Sequence, residues 1–480
     1  MKKLISLFVA LCLSLLLTLS LAEGGNPPAM PDGEPPAMGD MDARPERPEG
    51  GMPGEPGDMP GGMGMPGGGS SQPESYDAAL TVNEDMELTG EYTSTGTDEN
   101  AILVASGDVT LTDATVTRES VDSSGGDNAS FYGVGAALLV TGGTLTVSDA
   151  VIDTNANGGA GVFAYGDGVA YVSDCVITTA QGASGGIHVA GGGALYATNL
   201  TVTTQGQSSA AIRSDRGSGT MVVEGGSYTS NGVGSPAVYV TADITISDAA
   251  LTANGSEALC LEGRNSVALY NCTLSGNMAD DAQNDNTWTV ILYQSMSGDS
   301  EIGEGTFIMD GGALISQNGG LFYTTNTDSA FTLRNVTIEA SDDCEYFLRC
   351  TGNANQRGWG AIGSNGANCV FTAIEQTMNG DIVYDSVSNL DLYLTESSVL
   401  TGAVYDDESC AGEGGDGECR VVIDETSTWI VTADSAVSVL ENAGSVVDTE
   451  GDSVTIIGTD GVVYVEGSGA TTVTVSEYIG

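Results

Sequence analysis

Short runs in which apolar and polar residues alternate recur along most of the chain. A threonine separates Val109 from Leu111, and another separates Ile244 from Ile246. Such alternation predicts β-strands with one buried side. The same pattern is found at Leu145/Val147, Leu195/Ala197 and Phe331/Leu333. A second apolar pair, such as Ile187 and Val189, follows each first pair, and glycines cluster between the pairs where the chain must turn.

These strands belong to a sequence repeat of about 24 residues with two longer intervals. Aligning the repeats places one set of small or acidic residues in a column: Asp113, Asp149, Asp174, Asn199, Gly225, Asp248, Asn271, Gly311 and Asn335. A unit this short can bury its apolar side only by stacking on its neighbours. The sequence therefore predicts an all-β fold, a single-stranded right-handed parallel β-helix (solenoid) of about a dozen coils.

Composition divides the chain into three parts. Lys2 and Lys3 precede an apolar run that ends in a small-x-small site, so residues 1–22 are interpreted as a signal peptide. Residues 23–75 are rich in Pro, Gly and Met and poor in β-branched side chains, which predicts a disordered acidic linker. Residues 76–480 form the predicted β-helix domain, with looser coils from about 370.

The charge balance limits the possible partners. The chain has 12 Lys and Arg against 65 Asp and Glu, a formal net charge of −53. Such a surface repels nucleic acid and other polyanions, so nucleic-acid binding is excluded as a function. No stretch after the signal peptide is apolar over the roughly 20 residues that a bilayer span requires. We therefore expect no membrane insertion, a secreted or cell-surface location, and a monomer.

Several phrases of the repeat resemble a known group of proteins. They are "GGDNASFYGVGAALL", "AGVFAYGDGVAYVSDC" and "SGGIHVAGGGALYA". They are similar to uncharacterised secreted right-handed parallel β-helix proteins of anaerobic Gram-positive gut-type bacteria, and more distantly to pectate-lyase-like enzymes and β-helix adhesins. The resemblance covers residues 76–480 and implies the fold, but it assigns no catalytic motif.

Two aligned outward columns are candidates for ligand binding. One contains Phe163, His188, Arg213 and Tyr239, with one residue per coil, and the neighbouring one contains Tyr171 and Tyr196. A spacing of about 4.8 Å between stacked side chains suits a sugar ring or a peptide. The alternative is that these residues merely cover the coil, with His188 packed between an aromatic ring and a guanidinium. An ion pair of Asp215 with one of the flanking arginines, Arg213 or Arg216, is also expected.

Other candidates depend on carboxylates. Asp342 and Asp343 form a pair that could act as acid and base on a glycosidic bond, although an acidic turn is the alternative. Two long insertions, about 117–135 and 276–304, are predicted as functional loops. Asp280, Asp281 and Asp285 in the second insertion are candidate calcium ligands, and no other cofactor is expected.

Eight cysteines follow Cys12, which lies in the signal peptide. Cys410 and Cys419 flank a glycine-rich loop and are the predicted disulfide, with eight reduced thiols as the alternative. The leading functional hypothesis is an adhesin-like, non-catalytic protein that binds a glycan or a host or bacterial surface protein. A polysaccharide-degrading lyase or glycoside hydrolase and a structural surface scaffold remain alternatives.

Overall fold

The computed structural model describes residues 72–480, so the predicted signal peptide and almost all of the predicted linker lie outside the described residues. The described chain is a parallel β-helix, which confirms the predicted fold class. Each coil contributes a strand to each of up to three faces, and strands of successive coils pair in parallel.

Face 1 is a sheet of 13 parallel strands within residues 72–480, in agreement with about a dozen predicted coils. Its strands are Ala78–Val82, Asn100–Val104, Leu138–Val140, Val162–Tyr165, Ile187–Ala190, Ile212–Ser214, Val238–Val240, Leu259–Glu262, Trp288–Tyr293, Gly320–Thr325, Leu348–Cys350, Ile382–Tyr384 and Val404–Asp406.

Face 2 follows face 1 in each coil. Its strands are Met86–Ser94, Asp108–Ser120, Thr144–Ser148, Val169–Ser173, Ala194–Thr198, Thr220–Glu224, Asp243–Ser247, Ser266–Tyr270, Glu304–Asp310, Asp328–Arg334, Asn368–Ile374, Asn389–Thr395, Cys419–Ile423, Ser435–Asn442, Thr455–Gly458, Val463–Val465 and Thr472–Ile479. The first two strands are long and continue into face 3. Near the carboxyl end, Thr455–Gly458 pairs antiparallel with Val463–Val465.

Face 3 completes the coil. Its strands are Val151–Ala156, Val176–Thr179, Thr201–Thr204, Ser227–Ser230, Ala250–Ala253, Thr273–Gly276, Ala313–Ser316, Thr337–Ala340, Thr377–Asn379, Val399–Thr401, Thr428–Val431 and Ser445–Asp448. The last four form a separate sheet. Outside the faces, the described chain has an α-helix, α1, at Gly126–Tyr132 and a 3-10 helix at Glu408–Cys410.

The predicted inward positions form the core. Leu111, Val147 and Ile246 on face 2 are fully buried, as are Val162, Ile187 and other inward residues of face 1. Each coil presents too little apolar surface to fold alone, so burial depends on the coils on either side. No helix in residues 72–480 is long and apolar enough to span a membrane.

The aligned Asp/Asn/Gly column marks the turn from face 2 to face 3. Asp149, Asp174 and Asn199 have φ angles of 52°, 51° and 53°, and Gly225 has 66°. Only Gly, and to a lesser extent Asn and Asp, adopts this left-handed conformation easily. In later coils the position is occupied by Glu375 and Glu396, with φ angles of 49° and 54°. The repeat becomes harder to recognise after about 370 because this turn residue changes.

The insertions differ in part from the expectation. Within the first, α1 follows a long strand that ends at Ser120. The second is not one loop, because the face 1 strand Trp288–Tyr293 divides it into 277–287 and 294–303. All six side chains of this strand are buried, so it lacks the alternation that would have revealed it. A third loop, 351–367, was not predicted.

Candidate functional site

The predicted column on face 1 has the expected register. Phe163 pairs with His188, His188 with Arg213, and Arg213 with Tyr239. The rings of Phe163 and His188 lie 4.0 Å apart between centroids. However, Phe163 and His188 are 0% and 1% exposed, so the column is not an open binding surface. The expectation of an exposed ladder here was wrong, and His188 packs between an aromatic ring and a guanidinium.

The first insertion covers this column. Ser130 of α1 accepts a hydrogen bond of 2.9 Å from the Arg213 guanidinium. The guanidinium carbon of Arg216 lies 4.2 Å from the ring centroid of Phe131, which also belongs to α1. A cation held over an aromatic face is attracted to it. Arg213 of face 1 and Arg216, which follows the same strand, therefore hold α1 over Phe163 and His188.

A buried carboxylate links the covered residues. Asp215 lies 2.6 Å from Arg213 Nε and 2.8 Å from His188 Nε2, so the ion pair expected for Asp215 is formed with Arg213. Burial lowers the pKa of His188 to about 4, although the neighbouring Asp215 carboxylate acts in the opposite direction. Burial also disfavours the Asp215 carboxylate, but Arg213 and His188 outweigh it and lower its pKa. At neutral pH the cluster therefore contains a neutral imidazole and a carboxylate paired with arginine.

A second buried polar cluster lies beneath the second insertion. Glu262 is 1% exposed and accepts hydrogen bonds from the hydroxyls of Tyr239 and Tyr293, at 3.1 and 3.0 Å, and from that of Ser295. Burial raises the pKa of Glu262, and these three donors oppose the rise. Arg216 also forms an ion pair of 2.5 Å with Asp299 of this insertion. Both insertions thus lie against the outer side of face 1.

The neighbouring predicted column, on face 2, is open. The Tyr171 and Tyr196 rings stack with centroids 4.9 Å apart and planes 13° apart. The two residues are 46% and 36% exposed, and Val222, the next residue of the column, is 39% exposed. Thr198 and Glu224 lie beside this column on the same side of face 2. Aromatic rings here adjoin groups that can form hydrogen bonds.

An aromatic cluster that the sequence did not reveal joins two loops. The Trp359 ring lies 4.3 Å from Tyr293 and 6.2 Å from Trp288, measured between centroids. Arg357 Nε donates to Asn284 at 2.6 Å. These contacts attach loop 351–367 to loop 277–287 and surround a narrow cavity lined partly by Tyr323 and Asn353. Trp288 and Trp359 are buried, so this cluster forms a small hydrophobic core beneath the loops.

The carboxylate candidates are not gathered into one site. Asp342 and Asp343 are exposed in a turn. Asp281 accepts from the Gln283 N–H at 3.0 Å and Asp285 from the Ala354 N–H at 2.7 Å, while Asp280 is exposed. Within residues 72–480 no three His, Cys, Asp or Glu side chains are grouped so as to hold a metal ion. The calcium and catalytic assignments remain untested predictions.

The eight cysteines of residues 72–480 are free thiols. Cys410 ends the 3-10 helix and Cys419 begins a face 2 strand, and the disulfide between them remains a prediction.

Comparison with known proteins gives no functional assignment. No family model, curated protein or solved structure matches the chain.

Proposed function

We propose that the protein is a secreted or cell-surface, adhesin-like β-helix that binds a neutral glycan through Tyr171 and Tyr196 without catalysing a reaction. The stacked, exposed pair of tyrosine rings is the observation that carries the proposal. Sugar rings have apolar C–H faces that pack on aromatic rings. Because the two rings stack on each other, a sugar would pack against their exposed edges and outer faces.

The surroundings of the pair support a carbohydrate ligand. Thr198 and Glu224 can form hydrogen bonds with sugar hydroxyls at the edge of the aromatic surface. Both tyrosines are on strands paired with neighbours on both sides, so little conformational entropy is lost when a ligand binds. The net charge of −53 favours a neutral glycan over a uronic-acid polymer.

Binding of the exported full-length chain to an array of neutral and acidic polysaccharides tests the proposal. We expect retention by a neutral glycan and at least about a tenfold weaker affinity for the double variant Tyr171→Ala/Tyr196→Ala, since about 1.4 kcal/mol corresponds to a factor of ten. Tyr270→Ala is the matched control, because Tyr270 is also an exposed tyrosine of face 2 but stacks on no other ring. Its affinity should be unchanged.

The same assay separates the alternatives. Release of reducing sugar or unsaturated product, lost in Asp342→Asn, would indicate an enzyme instead. If no glycan is retained, or if the double variant binds as well as the native chain, the proposed site is wrong. A protein that binds neither glycans nor surface proteins would be a structural scaffold.

A further inference from the structure

Two of the free cysteines face each other inside the β-helix. Cys350 ends the face 1 strand Leu348–Cys350, and Cys369 is the second residue of the next face 2 strand, Asn368–Ile374. Both are fully buried members of the central core, so both side chains point inward. They stand at the two ends of loop 351–367.

The preceding coil shows how close these two positions are. Thr324 pairs with Cys350, and Ser329 pairs with Cys369. The side-chain oxygens of Thr324 and Ser329 are 2.9 Å apart across the core. Because stacked coils repeat the same geometry about 4.8 Å further along the axis, the two cysteines occupy the same facing positions. In line with this, the neighbouring Cys369 thiol raises the pKa of the Cys350 thiol.

Other cysteines are poorly placed to compete. Cys419 is in the same face 2 column as Cys369, but Leu390 lies between them in the ladder. Two coil spacings amount to about 9.6 Å, which is beyond the reach of a disulfide. Cys350 has Thr324 and Tyr384 as its ladder neighbours on face 1.

We propose that Cys350 and Cys369 form a disulfide across the interior of the β-helix when the exported chain folds in the presence of an external disulfide. One thiolate attacks the external disulfide and releases one of its thiols, and the second cysteine then displaces the other. The two cysteine thiols lose two protons and two electrons in total, and the external disulfide is reduced to two thiols.

The burial of Cys350 and Cys369 determines when the disulfide can form. The neighbouring Cys369 thiol and burial raise the pKa of the Cys350 thiol well above its ordinary value. Since the thiolate is the reacting form, exchange in the folded protein is slow. The bond therefore forms before this coil closes, and it resists mild reduction afterwards.

The bond would fix the base of the loop that carries Arg357 and Trp359. This loop reaches loop 277–287 through the Arg357–Asn284 hydrogen bond, and the strand Trp288–Tyr293 through the Trp359–Trp288 contact. Closing a loop of about 20 residues restricts the unfolded chain and stabilises the folded one. The proposal does not depend on glycan binding by Tyr171 and Tyr196.

Peptide mapping after oxidative refolding of the full chain tests the bond directly. Trypsin cuts after Arg349 and Arg357, and a Glu-specific protease cuts after Glu375, so Cys350 and Cys369 are on different peptides, each without another cysteine. We expect peptide 350–357 to be joined to peptide 358–375 and released by reducing agent. A free Cys350, or one joined to Cys410 or Cys419, would overturn the proposal.

A double variant provides the stability control. Cys350→Thr with Cys369→Ser reproduces the Thr324/Ser329 pair of the preceding coil and cannot be cross-linked. We expect refolding under reducing instead of oxidising conditions to lower the melting temperature of the native chain by about 3–4 °C and to leave that of the double variant unchanged. Equal shifts in both proteins would contradict the proposal.

Discussion

His188 is the single histidine of the chain. It is buried in the column of face 1 that α1 covers. Because burial lowers its pKa to about 4, we expect one imidazole resonance in an NMR titration, with a midpoint near 4 rather than near the ordinary 6.5. A midpoint near 6.5 would mean that α1 does not cover the column in solution.

The same shift affects stability. The unfolded chain takes up the histidine proton at a higher pH than the folded chain does, so this contribution to stability is present above about 6.5 and is lost as the pH falls towards 4.

The left-handed turn between faces 2 and 3 gives a second prediction at the residue scale. Asn199 has a φ angle of 53°, which a β-branched residue adopts only with strain. Asn199→Val should lower the free energy of unfolding by about 1–2 kcal/mol. Asn199→Gly, the residue found at position 225, is the matched control and should cost less. Calorimetric melting of both variants measures the difference, and an equal loss would contradict the assigned role of the turn.

This column also shows how far the sequence determines single residues. Asp, Asn and Gly share a tolerance for positive φ, so their recurrence identified the turn and the register of the coils. Burial of Phe163 and His188 could not be predicted in the same way, because it depends on α1. The packing of an insertion against a distant strand leaves no periodic pattern in the sequence.

At the scale of elements, the ion pairs beside the insertions differ in how much they contribute to the stability of the fold. Arg213 pairs with the buried Asp215 and also contacts Ser130 of α1, whereas Arg264 pairs with Glu301 at the surface, where their side chains are 64% and 75% exposed. Removing one partner of a buried pair leaves an uncompensated charge, but exposed pairs contribute little.

Arg213→Met should therefore reduce the free energy of unfolding by about 3–5 kcal/mol, against less than about 1 kcal/mol for Arg264→Met. Thermal melting at neutral pH provides the comparison. If both substitutions had the same effect, the Asp215 cluster would not hold α1 in place.

The second insertion contains a strand that the alternation of apolar and polar residues does not indicate. The alternation of apolar and polar residues revealed strands with one solvent-exposed side, such as Ala194–Thr198. The strand Trp288–Tyr293 is buried on both sides, since loops cover its outer side, and it was interpreted as part of a loop. The aromatic cluster around Trp359 was missed because it joins a residue of loop 351–367 to residues of the face 1 strands Trp288–Tyr293 and Gly320–Thr325.

At the scale of the whole molecule, the β-helix has a covered outer surface on part of face 1 and an open one on face 2. Loops and α1 cover part of face 1 and bury its polar groups, while the Tyr171/Tyr196 column of face 2 is left open to solvent. The open column is therefore the better candidate for a ligand. The strong negative charge of the chain disfavours polyanionic ligands such as uronic-acid polymers.

Isothermal titration calorimetry with the neutral glycan retained best on the array tests this account most directly. We expect the native chain and Tyr270→Ala to bind equally. Tyr171→Ala/Tyr196→Ala should bind at least about ten times more weakly with an unchanged melting temperature. Added salt should have little effect on the affinity. Equal affinity in the double variant, or affinity that depends steeply on salt, would contradict glycan binding on face 2.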